Sequence, residues 1–305
     1  MISRRGFLKG FGALCFAGLS LGGYAIGIEP LLRMNITRYR LTPPRWPRDF
    51  NLKIVVLADI HACNPWMPVE RIRKIVETTN ALNPDIILLL GDYVSGMRLV
   101  TGYVPASEWS SALSELTAPL GVHSVLGNHD WWEDEKAQKL TRGPTIARLA
   151  LEKVGIPVYE NDSVRLEKDG RASWLAGLGD QIAFLFRHVR GYKPVQGIDD
   201  LPGTLKQVTD DALVILLAHE PDIFPQVPDR VSLTLSGHTH GGQVRLFGFA
   251  PIVPSRFGRR FAYGHIIEDN RHLIVSGGLG TSIVPVRFGS PPEIVMIDLG
   301  DAKGA

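Results

Sequence analysis

The sequence predicts an α/β fold, and three observations carry that prediction. Short apolar, β-branched runs recur at Ile54 to Ala58, Ile86 to Leu90, Val122 to Leu126, Leu213 to Ala218, Val231 to Leu235 and Leu273 to Val275. Unbroken apolar runs of this length read as strands buried on both faces. Between the first two, Val69 to Ala81 places Val69, Ile72, Ile75 and Val76 at helical spacing, and Thr145 to Val154 repeats that pattern. Strand and helix therefore alternate. The chain has 305 residues, 45% of them hydrophobic, which suffices to bury a large core in one domain or two small ones.

The first 27 residues are expected to stand outside that core. Ser3-Arg4-Arg5-Gly6-Phe7-Leu8-Lys9 precedes an uncharged run from Gly10 to Gly27 with six glycines, the layout of an export signal. The order Ser-Arg-Arg-x-Phe-Leu-Lys resembles the twin-arginine signal of bacteria and archaea, whose export machinery would then be a partner. Residues 1–27 are read as that signal or as a membrane anchor, with the small residues of Ala25-Ile26-Gly27 as a cleavage point. The expected location is periplasmic or on the outer face of the cytoplasmic membrane. Glycine at this density is expected to weaken a membrane helix. Removing the segment takes Arg4, Arg5 and Lys9 and no acid, which turns the formal net charge of +2 into −1. So balanced a charge argues against a nucleic-acid partner held by phosphate neutralisation. Cys15 would leave with the signal, and Cys63 alone makes neither a disulfide framework nor a thiolate metal module.

Residues 28–51 form a lead-in. Met34 to Leu41 alternates enough for an edge strand, and Pro43, Pro44 and Pro47 end it because proline cannot donate to a ladder. The domain proper spans 52–300. Within it, Val164 to Leu175 turns at Asp169-Gly170 and predicts a hairpin that opens a second half. Gln181 to Leu205 fits neither period; it mixes Phe184 and Phe186 with Arg187, His188, Arg190 and Lys193, and reads as a surface insertion or lid whose aromatic and basic side chains suit a membrane.

The chemistry sits where these strands end. Asp59-x-His61 follows the first, Gly91-Asp92 the second, Gly127-Asn128-His129-Asp130 the third, His219 the fourth and Gly237-His238-Thr239-His240 the fifth. Singly, most have a commonplace reading: a Gly-Asp after a strand is usually a turn, and Asn-His-Asp suits an Asx turn. The pair His238 and His240 is sharper, since two imidazoles two residues apart share a site only on a permissive backbone. Strand ends converge in a layered sheet, so these residues can meet.

These five blocks, in this order, resemble those of the calcineurin-like metallophosphoesterase superfamily, over about Leu52 to Leu299. The flanks His219-Glu220-Pro221-Asp222, Gly241-Gly242-Gln243 and Arg287-Phe288 to Pro291-Pro292-Glu293 are similar to its exported bacterial phosphodiesterase branch. The resemblance implies two stacked mixed sheets flanked by helices, a four-layer αββα sandwich. It also implies a two-metal site, with Asp59, His61 and His240 on one ion, Asn128, His219 and His238 on the other, and Asp92 bridging. Such oxygen and imidazole donors suit Mn, Fe or Zn, divalent or trivalent.

The implied activity is phosphoester hydrolysis, most simply of a phosphodiester, by a hydroxide shared between the metals and attacking phosphorus in line. His129 is expected to protonate the leaving oxygen while Asp130 accepts from its other ring nitrogen. Because the superfamily includes hydrolases of UDP-2,3-diacylglucosamine, a lipid-linked pyrophosphate is the alternative substrate; a non-catalytic interaction module is the remote one. Arg256, Arg259, Arg260 and Arg287 are read as solvated surface arginines within reach of phosphate or anionic lipid, and Cys63 as a packed thiol.

Overall fold

The computed structural model describes residues 3–185 and 195–301. In chain order its longer strands are β1 (Asn35–Leu41), β2 (Leu52–Leu57), β3 (Ile86–Leu89), β4 (Val122–Ser124), β5 (Asp162–Lys168), β6 (Arg171–Gly177), β7 (Leu213–Leu217), β8 (Leu233–Ser236), β9 (Gly264–Glu268), β10 (Arg271–Val275) and β11 (Glu293–Leu299). They form a five-stranded sheet in the order β1-β11-β2-β3-β4 and a six-stranded sheet in the order β9-β10-β8-β7-β6-β5. Both sheets are mixed: β2, β3 and β4 run parallel, as do β6, β7, β8 and β10, while β11 is antiparallel to β2.

The unbroken apolar runs follow from burial of both faces. Ile54 and Val56 of β2 and Ile86 and Leu88 of β3 meet Leu175, Ile215, Leu217, Leu233 and Leu235 of the other sheet in the central core. Val55, Leu57, Ile87 and Leu89 face outward into a second core beneath helices. One of these helices, Val69–Ala81, buries Val69, Ile72, Ile75 and Val76 and turns Glu70, Arg73, Lys74 and Glu77 to solvent, as a 3.6-residue period requires. Helix Ile146–Lys153 covers the same face, started by Thr145, whose hydroxyl accepts from the Arg148 N–H at 3.1 Å. Outside the six-stranded sheet, Ile223, Phe224 and Phe261 pack on Val214 and Leu216. The layers are thus helix, sheet, sheet, helix.

The hairpin appears as β5 and β6, paired antiparallel on either side of Asp169-Gly170. The stretch 181–205 departs from the expected surface loop. Phe184 and Leu185 pair antiparallel with Val195 and Gln196. Phe184 is buried, its ring edge-on to Trp131 at 5.3 Å. It cannot rest on a membrane, because it already fills the core. Leu201–Lys206 is a short helix, capped by the Asp200 carboxylate and burying Leu201 and Thr204. Phe186, Arg187, His188, Arg190 and Lys193 lie outside the described residues.

Residues 4–32 form one continuous helix: α-helical over Arg4–Gly23, a π-turn over Tyr24–Ile28, then Glu29–Leu32. The glycines do not break it, and no proline occurs before Pro30. The boundary expected near Gly27 falls within a docked segment. The Ala25 carbonyl accepts the Arg287 N–H at 2.9 Å, and the buried Glu29 carboxylate accepts the N–H groups of Gly289 at 3.0 Å and Ser290 at 2.7 Å.

Strand direction then sets where this helix arrives. β1 runs parallel to β11, with Asn35 beside Glu293, and β11 runs antiparallel to β2, with Val295 opposite Val56. The start of β1 and the end of β2 therefore share one end of the sheet.

Candidate metal centre

That end of the sheets gathers the predicted site residues. Asp59 and His61 follow β2, Asp92 follows β3, Asn128 starts the short helix Asn128–Trp132 after β4, His219 follows β7, and His238 and His240 follow β8. Five of these seven have left-handed backbone: Asp59 (φ 55°), His61 (49°), Asp92 (57°), His238 (69°) and His240 (52°). Each such non-glycine residue costs about 1–3 kcal/mol, and such costs persist where function demands the geometry. Gly91 and Gly127 permit the close approach. A Cβ on Gly91 would lie 2.4 Å from the Gly127 nitrogen, and one on Gly127 would lie 2.4 Å from Asp92 Oδ1.

Two candidate ligand groups share Asp92. Asp59, His61, Asp92 and His240 form one, and Asp92, His219 and His238 the other, each with its donor atoms within 4.8 Å of one another. Asp92 Oδ2 lies 3.4 Å from His61 Nε2 and 3.2 Å from His219 Nε2. Asn128 joins the second group, its Oδ1 2.8 Å from His238 Nδ1. The other faces are fixed by backbone: His61 Nδ1 meets the Val94 carbonyl at 3.0 Å, His219 Nδ1 the Leu90 carbonyl at 2.6 Å, and Asp59 Oδ1 accepts the His238 N–H at 2.9 Å.

The buried donors fit a cation. Asp59 Oδ2 is buried and has no hydrogen-bond partner among the described residues. A buried polar atom so placed is costly unless it meets a ligand. Burial pushes the Asp59 carboxyl up to about 7 and pulls the His61 imidazole down to about 3, leaving His61 the neutral ring that ligation needs. Burial acts alike on His240, reinforced by His61 and by Arg287. For Asp92, burial acts upward, yet His219 and His129 outweigh it and hold the carboxyl well below its ordinary value. Neither group includes a cysteine, so the donors are oxygen and imidazole nitrogen, a set that fits Mn, Fe or Zn.

His129 and Asp130 do not form the predicted pair. Asp130 Oδ2 accepts the N–H groups of Asp92 and Gly127, both at 2.9 Å, and Oδ1 those of Tyr93 at 2.9 Å and Val94 at 3.1 Å. It is saturated by backbone donors, two of them the N–H groups of Asp92 and Gly127. The His129 ring instead lies with Nδ1 3.3 Å from Glu133 Oε1 and Nε2 3.1 Å from Ser282 Oγ. Glu133 stands four residues on along the same helical turn, a spacing that could have disclosed it.

Arg287 is likewise not a surface arginine. It is fully buried, donates to the carbonyls of Gly280 (2.9 Å), Ser290 (2.8 Å) and Gly277 (2.9 Å), and places Nη2 3.3 Å from His240 Nδ1. No periodicity in Arg287-Phe288-Gly289-Ser290 signals this. Arg256 and Arg260 are exposed and paired with Asp222 and Glu268, and Cys63 is a buried free thiol. A cleft of about 480 Å³ opens beside His238, lined among others by Trp132, Gln181, Ile182, Glu220 and Arg256.

The sequence profile described as calcineurin-like phosphoesterase matches residues 52–242. The chain belongs to that family. It is 32% identical, over 98% of either chain, to an uncharacterised metallophosphoesterase, YkuE, of Bacillus subtilis. It is 31% identical to the phosphodiesterase YaeI of Escherichia coli, over 98% of this chain and all of that one. A transmembrane protein with a metallophosphoesterase domain from Danio rerio is 29% identical over 84% of this chain, which spans 55% of that relative. The protein is thus a metallophosphoesterase, with a candidate metal-binding cluster at the strand ends and an apolar amino-terminal helix of signal or anchor type.

Proposed function

We propose that this metallophosphoesterase hydrolyses phosphodiesters with two cations held in the ligand groups that share Asp92. The observation that carries the reading is that sharing: one buried carboxylate faces His61 from one group and His219 from the other. The name of YaeI and its likeness along the whole chain support a diester over a monoester. Asp59, His61 and His240 would hold one cation and Asn128, His219 and His238 the other. Cations held there would acidify a bound water and neutralise phosphoryl oxygens as charge develops.

The chain's own groups supply the rest. Arg287 and the Val94 and Leu90 carbonyls orient three of the imidazoles. His129, held between Glu133 and Ser282, donates a proton from Nε2 to the departing oxygen. The cleft beside His238, with Arg256 at its rim, receives the leaving group. Twin-arginine export would deliver the protein to the outer face of the cytoplasmic membrane. A lipid-linked pyrophosphate is the second reading, favoured by the exposed Ile283 side chain next to Ser282, whose hydroxyl meets His129.

Purified protein loaded with manganese, iron or zinc should hydrolyse bis-p-nitrophenyl phosphate faster than p-nitrophenyl phosphate, and a chelator should abolish both activities. A lipid pyrophosphate cleaved faster than either would favour the second reading. Turnover of all three that survives complete metal removal would rule out the two-cation site.

A further inference from the structure

The surface beside the metal centre is apolar where water would favour polar groups. Leu246 (50% exposed), Phe247 (110%), Phe249 (50%), Ile252 (78%), Ile283 (77%) and Val284 (42%) lie on two loops, 243–253 and 282–289. These loops are stitched together. Gln243 Oε1 accepts the Ser282 N–H at 2.6 Å, the Arg245 N–H donates to the Phe288 carbonyl at 2.7 Å, and the Phe288 N–H to the Gln243 carbonyl at 2.9 Å. Phe247 and Ile283 are held with left-handed backbone, φ 51° and 64°, which aromatic and β-branched residues rarely adopt. Projecting large apolar groups into water from such a backbone gains nothing within the protein itself. An apolar patch of this kind marks a contact surface.

Its occupant follows from the helix over Arg4–Leu32. Among the described residues this is the one helix long and apolar enough to cross a membrane; it has 29 residues, and its apolar window is almost entirely exposed. At about 1.5 Å per residue the part ahead of the docked turn, Arg4–Gly23 with 20 residues and none of them buried, measures about 30 Å, which matches a hydrocarbon core. Its base is docked onto the second of the two loops. Ala25 accepts from the Arg287 N–H, Glu29 accepts from Gly289 and Ser290, and the Tyr24 ring meets Phe288 edge-on at 5.9 Å. Strand direction brings the chain into β1 at the metal end of the sheets. A bilayer crossed by this helix therefore lies at that end, against the two loops. Arg259, exposed and 4.2 Å from the Phe249 ring, and Arg245 beside them offer cations to anionic headgroups.

We propose that loops 246–252 and 282–284 form a membrane-docking surface, laid on the anionic bilayer that the retained amino-terminal helix spans. The metal centre then opens beside the lipid surface, because Ser282, next to Ile283, bonds His129. This surface is distinct from the stretch 181–205, whose Phe184 is buried.

The test uses the full chain with Cys15→Ser, in vesicles of phosphatidylcholine and phosphatidylglycerol. An environment-sensitive fluorophore is attached through Phe247→Cys, through Ile283→Cys, or, as a control at the opposite end of the sheets, through Asp169→Cys. Relative to detergent solution, the probes at 247 and 283 should shift to shorter wavelength and be quenched by lipids with a nitroxide near the headgroup. The probe at 169 should show neither change. Emission at 247 and 283 matching that at 169, without quenching, would overturn the proposal. So would a shift that grows with protein density yet escapes lipid quenching, which would assign the surface to a second copy of the chain. Neither readout depends on hydrolysis, so failure of the phosphodiesterase reading leaves this test intact.

Discussion

Asp130 Oδ2 accepts the backbone N–H of Asp92 at 2.9 Å, so the carboxylate that follows His129 in sequence shapes the turn carrying the shared ligand. Asp130→Asn replaces one acceptor oxygen by an NH₂ facing two backbone donors. Metal affinity should fall by roughly 10–100-fold, the usual effect of losing a group that positions ligands. The metal-saturated variant should keep its pH profile, as read from kcat against pH. A shifted profile with unchanged metal affinity would instead return Asp130 to the role of orienting His129.

Asp92→Asn should cost at least one metal equivalent and nearly all activity, since a neutral amide cannot hold two cations as a shared carboxylate does. Elemental analysis beside the diester assay checks this. Full occupancy with full turnover would contradict the shared site.

His129→Ala should retain the metals while lowering kcat for esters with poor leaving groups by roughly 10²–10⁴, the scale of general acid catalysis. The defect should shrink for p-nitrophenyl esters, because p-nitrophenolate departs without a proton. Glu133→Gln, which removes the carboxylate 3.3 Å from Nδ1, should show the same leaving-group trend with a smaller loss. Equal defects on both ester classes would point to charge stabilisation rather than proton donation.

Arg287→Met should destabilise the fold by at least about 3 kcal/mol, because three buried carbonyls lose a charged donor and each unsatisfied group costs about 1–3 kcal/mol. Denaturant unfolding measures it, and a change within about 0.5 kcal/mol, the range of an ordinary surface substitution, would show that the carbonyls find other partners. The His240 ring loses its neighbour at Nδ1, so metal binding at the site it shares with Asp59 and His61 should weaken as well.

Arg4→Lys combined with Arg5→Lys should leave the protein in the cytoplasm, since paired guanidinium groups distinguish a twin-arginine signal from an ordinary one. Fractionation of cells checks this, and undiminished export would mean another route.

The sequence by itself determined the strand runs, the helix over Val69–Ala81, the Asp169-Gly170 hairpin and the residues that end each buried strand. These are local properties: burial on both faces writes an unbroken apolar run, helical burial writes a 3.6-residue period, and both are legible without neighbours. Tertiary structure decided which groups those residues meet. Whether Asp130 bonds a ring or four backbone N–H groups depends on where β3 ends relative to β4, and whether Arg287 is buried depends on the loops around Gly277, Gly280 and Ser290. Phe184 shows the same limit, since an aromatic beside basic residues reads alike whether it faces Trp131 or solvent. The amino-terminal helix was legible as apolar, yet its docking through Ala25 and Glu29 rests on contacts more than 250 residues away along the chain. Hydrogen bonds and buried charges are settled by partners that folding brings together, and spacing along a chain carries no record of them.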